Sequence, residues 1–247
     1  MTSVAISVCA LVYLAAAATA RTRGRQHTTF STVAFVAGLA VLAVALREQW
    51  GPYDDDISWV HDVQHALVMC IAPPLLAIGA PITLAVQVLP TRWARRLVAL
   101  QHARPMRALW GRSAAVHVTV EYYAVMAVYL FTPVHELSHD NPVVHAGTHA
   151  VLLTCGLFFW VPIVGVDPVG WRPSRRNGLL LVALGLPVSV VLAAADASWS
   201  LLLTGVASTL FGLVLVAALP RRRTVRLPAQ RTAPRVAASA TPTGQLS

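Results

Sequence analysis

Lysine is absent from this chain of 247 residues, and charge of either sign is scarce, at 12% of the residues. Soluble domains carry about 25% charge. A sequence that is 56% hydrophobic, with a mean hydropathy of +0.63, therefore reads as a polytopic membrane protein and not as a soluble enzyme. All nineteen basic residues are arginine, which together with the wealth of Ala and Val reflects a GC-biased coding habit more than chemistry. Cysteine is also sparse. Cys9, Cys70 and Cys155 each lie inside an apolar run, which excludes a disulfide framework. The nucleophile elbow G-x-S-x-G, the P-loop and the dinucleotide fingerprint are all missing, and with them the common hydrolase, NTPase and nicotinamide classes. The net charge of +9 has no nucleic-acid motif beside it, so nucleic acid is not an expected partner.

What the chain does have is apolar length. Segments 3–20, 30–46, 58–78, 113–131, 143–164, 178–195 and 199–219 each approach the roughly 20 residues that cross a bilayer. Eighteen of the nineteen arginines fall in alternate gaps: after the first segment, between the third and fourth, after the fifth, and beyond Pro220. The other gaps hold Arg47 and the acids Glu48, Asp54, Asp55, Asp56, Glu136, Asp140 and Asp196. The positive-inside rule then predicts an all-α bundle of seven transmembrane helices, N-terminus out and C-terminus in. Residues 1–220 form its one membrane domain. Residues 221–247 are rich in Ala, Pro, Thr and Arg without apolar periodicity, the composition of a disordered cytoplasmic tail.

Histidine is concentrated on the predicted outer side. His61 and His65 are four residues apart at the entrance of the third segment, so both rings leave one helix face. Pro73 and Pro74 follow, where an α-helix must kink or stop. His145 and His149 repeat the spacing at the start of the fifth segment. Ionisable groups inside spans are functional by default, and four imidazoles at one level suit a first-row metal such as copper. Hydrogen bonds from these rings to Asp62, Gln64 or backbone carbonyls are the structural alternative. Haem held by one ring from each pair is the rival ligand.

Other groups extend the picture. Cys70, Met69 and Cys155 lie deeper, where soft sulfur ligands would suit Cu(I), though such residues are more often simple packing. His117 and Glu121 are one turn apart, a spacing that a His–Glu hydrogen bond explains. His135-Glu136-Leu137-Ser138-His139 matches the zincin string H-E-x-x-H. Pro133 and Pro142 bracket it and leave room for little more than two turns, so His135 and His139 are accessory ligands or solvated imidazoles before they are a protease centre.

The order of motifs resembles the CtaG-type cytochrome c oxidase assembly factors. The resemblance runs from His61-Asp-Val-Gln-His65 and Ala72-Pro73-Pro74 through Gly79-Ala80-Pro81, Leu89-Pro90 and Phe131-Thr132-Pro133. It continues with His145 and His149, Phe158-Phe159-Trp160-Val161-Pro162 and Gly165-Val166-Asp167-Pro168, and ends at Arg172-Pro173. It departs from the family pattern at Asp62, where an apolar residue is more usual, and at His135, where tyrosine is. The resemblance implies a multi-pass protein of the bacterial plasma membrane that is not itself an enzyme. Its partners would be cytochrome c oxidase subunits, its cargo copper, and its ligands His61, His65, His145 and His149. The residues by themselves, and not the resemblance, offer His135, His139 and Cys70 as possible additions. Two other classes stay open: a haem-binding membrane redox protein, and a metal or small-solute transporter working through the Pro-broken third segment.

Overall fold

Backbone polar groups have no water to bond in a bilayer, so apolar runs of this length satisfy them internally as helices. The computed structural model describes residues 2–47, 58–101, 103–104, 114–165, 167, 169, 171–196 and 198–219, and among them the regular elements are all helical. They are α1 (Thr2–Thr22), α2 (Thr29–Ala45), α3 (Ser58–Ala66), a π-helical turn (Leu67–Ile71), α4 (Ala72–Ile78) and α5 (Pro81–Val88). After these come α6 (Thr91–Gln101), α7 (Ala114–Leu130), α8 (Val134–Asp140), α9 (Pro142–Val164), α10 (Arg175–Ala183), α11 (Gly185–Asp196) and α12 (Trp199–Ala218). Each of the seven expected segments is helical. Five stretches, Ser3–Thr22, Trp59–Val88, Pro142–Val164, Arg175–Asp196 and Trp199–Ala218, are long and apolar enough to cross a membrane, while α2 and α7 are shorter, at 17 residues each. The expected tail 221–247 and the acidic run Asp54–Asp56 lie outside the described residues, as do the side chains of Glu136 and His139.

Several helix starts are written in the sequence. Thr28, Asn141, Ser174 and Ser198 each accept a hydrogen bond from a backbone N–H of the first turn of α2, α9, α10 and α12 respectively, which satisfies donors that a helix leaves orphaned. Of the two outcomes expected at Pro73 and Pro74, a kink or a stop, the helix does not stop: segment 58–78 runs through them as drawn, because the preceding turn widens to π spacing and Ala72 N–H bonds the carbonyl of Leu67. Pro73 has no N–H to offer the Met69 carbonyl one α-turn earlier. That carbonyl faces α9 at Gly156 instead.

The packing there is close. A Cβ on Gly156 would lie 2.5 Å from the Met69 carbonyl oxygen and 2.6 Å from Pro73 Cγ. Replacing Gly156 by Ala forces apart the two helices that carry the histidines, and is expected to destabilise the protein by about 1–3 kcal/mol. An unchanged melting temperature for the purified variant would show that the α4–α9 contact yields. On the other side of α4, Gly38 of α2 meets Leu76 at similar range. The core spreads from there: Phe159 stacks on Tyr122 at 4.0 Å, and the Tyr13 hydroxyl of α1 donates to the Gly79 carbonyl at 2.6 Å.

The end of the third segment is held by a polar latch. Ala80, before Pro81, is left-handed at φ 49°, a turn that redirects the chain into α5. Asp167, 3% exposed, accepts from the backbone N–H groups of Ile82 at 3.1 Å and Thr83 at 2.6 Å. A carboxylate at a helix N-terminus satisfies orphan donors and complements the dipole. The Arg172 guanidinium closes the loop by donating to the carbonyls of Gly165 and Asp167.

Candidate metal centre

The i, i+4 spacing does what helical geometry requires. The rings of His61 and His65 lie 4.2 Å apart on α3, and those of His145 and His149 lie 4.5 Å apart on α9. Because α9 packs along the π turn and α4, the pairs meet: His61 and His145 at 5.8 Å, His65 and His149 at 5.2 Å, His65 and His145 at 6.5 Å between ring centres. One ligand atom from each of His61, His65 and His145 falls within 4.8 Å of the other two, a spacing that a single ion can bridge. His61, His65 and His149 are buried.

Burial sharpens the chemistry. The Nε2 atoms of His65 and His149 are enclosed and have no hydrogen-bond partner among the described residues. A buried, unsatisfied polar atom costs free energy, and a nitrogen lone pair facing other imidazoles is what a metal ion would satisfy. Asp62 and Gln64, the polar neighbours that might have bonded the rings, are engaged elsewhere. Asp62 accepts from Ser200 of α12 at 2.5 Å, and the Gln64 amide donates to the Ala45 carbonyl at 2.8 Å. Those two contacts tie α3 to α12 and α2 and fix the direction in which the histidine face points.

Hydroxyls stand beside His61. Ser138 of α8 donates to the His135 carbonyl at 2.7 Å, and the Tyr129 hydroxyl lies 3.0 Å from Ser138 Oγ and 2.8 Å from His61 Nε2. A ring nitrogen held by an outer partner in this way leaves the other one to serve as a metal ligand. Tyr129 and Ser138 were not legible as site residues. Their only sequence signal is position, Tyr129 just before Phe131-Thr132-Pro133 and Ser138 within the zincin-like string. The His135 ring itself lies 5.9 Å from His61 and forms the rim of the cluster.

The sulfur residues part company. Met69 and Cys70 line a cavity of about 90 Å³ together with Met126, Tyr122 and Asp62, and the Tyr122 hydroxyl donates to Cys70 Sγ at 3.3 Å. Cys155 is not among that lining. Its thiol donates to Glu121 Oε1 at 3.4 Å, which gives Glu121 a partner on α9 in addition to whatever His117 provides one turn away.

A helical bundle with several membrane-length apolar helices and a buried cluster of paired imidazoles defines a polytopic membrane protein with a candidate metal centre. The family model for the cytochrome c oxidase caa3 assembly factor (Caa3_CtaG) matches residues 11–200, and the chain belongs to that family. It is 28% identical over 195 residues to an uncharacterised protein of Mycobacterium bovis, Mb0105, and equally to MT0111 of Mycobacterium tuberculosis. The match covers 72% of this chain but spans only 28% of the length of each relative. No solved structure matches the chain.

Proposed function

We propose that the chain is an assembly factor of the bacterial plasma membrane that holds copper at its outer face for delivery to a haem–copper cytochrome c oxidase. The observation that carries this reading is that His61, His65 and His145 each bring a ligand atom within 4.8 Å of the others, with the His149 ring 5.2 Å from His65 and the Nε2 atoms of His65 and His149 enclosed without a partner among the described residues. Family membership supplies the oxidase as partner. Copper is cargo here, and neutral imidazole is a good ligand for it. The protein's part is to bind and orient, with no bond-making step asked of its residues. Rings in mutual contact at 4.2–6.5 Å suit one compact ion better than a macrocycle clamped between two of them. The decisive test pairs metal analysis of the purified protein with oxidase activity in a deletion strain. Copper near one per chain, and oxidase activity restored only by copper-binding forms, supports the reading. Metal-free protein that restores the oxidase overturns it.

The same proposal holds that all seven apolar helices span the membrane, N-terminus out and C-terminus in, as the arginine distribution requires. α2 and α7, at about 26 Å each by the helical rise, come close to the hydrocarbon thickness. A reporter fused after Leu219 is expected to be cytoplasmic, and one inserted between residues 48 and 57 external. The reverse pattern would move the histidines to the inner face and end the outer-face delivery model.

A further inference from the structure

The helix α6, TRWARRLVALQ, is strongly two-faced yet buries none of its residues against the protein. Arg92, Arg95 and Arg96 are spaced i, i+3 and i+4 along one side, while Trp93, Leu97 and Leu100 are spaced i, i+4 and i+7 along another. Trp93 is 45% exposed and Leu100 64%. The Arg96 and Arg92 guanidinium groups lie 4.8 and 5.7 Å from the Trp93 ring, so the contacts made by that ring include the helix's own cations. No acidic residue occurs in the helix.

Its place in the fold is fixed. The third segment begins at the histidines and ends at α5, and α6 follows after Leu89-Pro90, so it lies at the end of the bundle away from the metal centre. Arg23 at the end of α1 donates to the Val88 carbonyl at 3.0 Å and holds that junction at the level of the helix ends. Arg21, Arg25 and the block Arg172, Arg175 and Arg176 belong to the same end. An amphipathic helix in a soluble protein turns its apolar side inward. This one has no fully buried residue among those described: Leu97 is half-buried, while Trp93 and Leu100 stay exposed.

We propose that α6 lies in the headgroup plane of an anionic leaflet, with Arg92, Arg95 and Arg96 on lipid phosphates and Trp93, Leu97 and Leu100 at the acyl boundary. Three cations without an acid complement an anionic surface, and tryptophan beside arginine is an interfacial pairing. The helix α6 itself is thereby held flat on lipid. This inference rests on the membrane reading of the chain and is independent of copper.

The test uses the full chain in nanodiscs, with Trp93 emission isolated by subtracting a Trp93→Phe protein. Trp93 is expected to be quenched by brominated acyl chains and shielded from aqueous acrylamide, more so in phosphatidylglycerol discs than in phosphatidylcholine discs. Each arginine near an anionic surface biases the bound population about fivefold, so Arg92→Gln/Arg95→Gln/Arg96→Gln should remove the lipid dependence. Equal acrylamide access in both discs overturns the proposal. So does equal shielding in detergent without phospholipid, which would mean that protein, not lipid, covers the ring. Loss of copper binding in any of these proteins would bear on the metal centre and leave this outcome unaffected.

Discussion

Purified protein carrying His65→Ala or His149→Ala is expected to lose copper affinity by more than the roughly 10–100-fold that removal of an outer partner of a metal ligand costs. His65 and His149 stand on different helices, yet their rings are 5.2 Å apart and both Nε2 atoms are enclosed. Ligands of one ion act as a set, so the double variant should be scarcely worse than either single one. Tyr129→Phe should fall within the 10–100-fold range, because it removes the hydroxyl that anchors His61 Nε2 while leaving every imidazole in place. Competition titration against a copper chelator measures all four proteins. If the histidines only join helices, the variants will melt earlier but bind copper as the wild type does, and equal affinity throughout would end the proposal. Cutting away an enclosed, unpartnered imidazole also relieves its desolvation cost. A metal-free His65→Ala protein that is no less stable than wild type would therefore fit a ligand role and argue against a structural one.

Asp167→Ala is expected to destabilise the bundle by about 2–4 kcal/mol without touching the histidines. The carboxylate is buried and is shared by two backbone donors at the start of α5, so its removal strands both N–H groups. Arg172 would still bond the carbonyls of Gly165 and of residue 167, so the loop keeps its shape while α5 loses its anchor. Thermal unfolding in detergent gives the magnitude. Copper binding measured well below the melting temperature should be unchanged, since the latch and the metal centre sit at opposite ends of the third segment. A variant that melts like wild type would show that water caps α5 as well as Asp167 does.

The positions of the helices were legible because membrane insertion leaves a one-dimensional trace: apolar length. The seven segments read from composition differ from the helices by a few residues at their ends. The capping residues Thr28, Asn141, Ser174 and Ser198 mark four of the starts. At Pro73 and Pro74 the sequence left a kink or a stop open, because a rule about α-helical hydrogen bonds does not say that one π turn can re-space the ladder and carry the helix onward. Asp167 stood in the sequence only as a member of the motif Gly165-Val166-Asp167-Pro168. Its function as a cap depends on a backbone 84 residues away in sequence, for which no local pattern exists.

Within the site, the division follows the range of the interaction. Each histidine pair was determined by the sequence alone, since 3.6 residues per turn puts i and i+4 on one face wherever the helix stands. Arginine bias against acid bias likewise led to the expectation, to be tested by the reporter fusions, that both pairs face one side of the membrane. Only the tertiary structure decided that the pairs meet, because Gly156 lets α9 settle on the π turn. Packing also set Cys155 on Glu121 and Cys70 on Tyr122, and spent Asp62 and Gln64 on neighbouring helices. The outer partner of His61 was decided last and most remotely, through Tyr129 and Ser138 on two other helices. Hydrogen-bonded hydroxyls far apart in sequence are brought to one ring only by the fold.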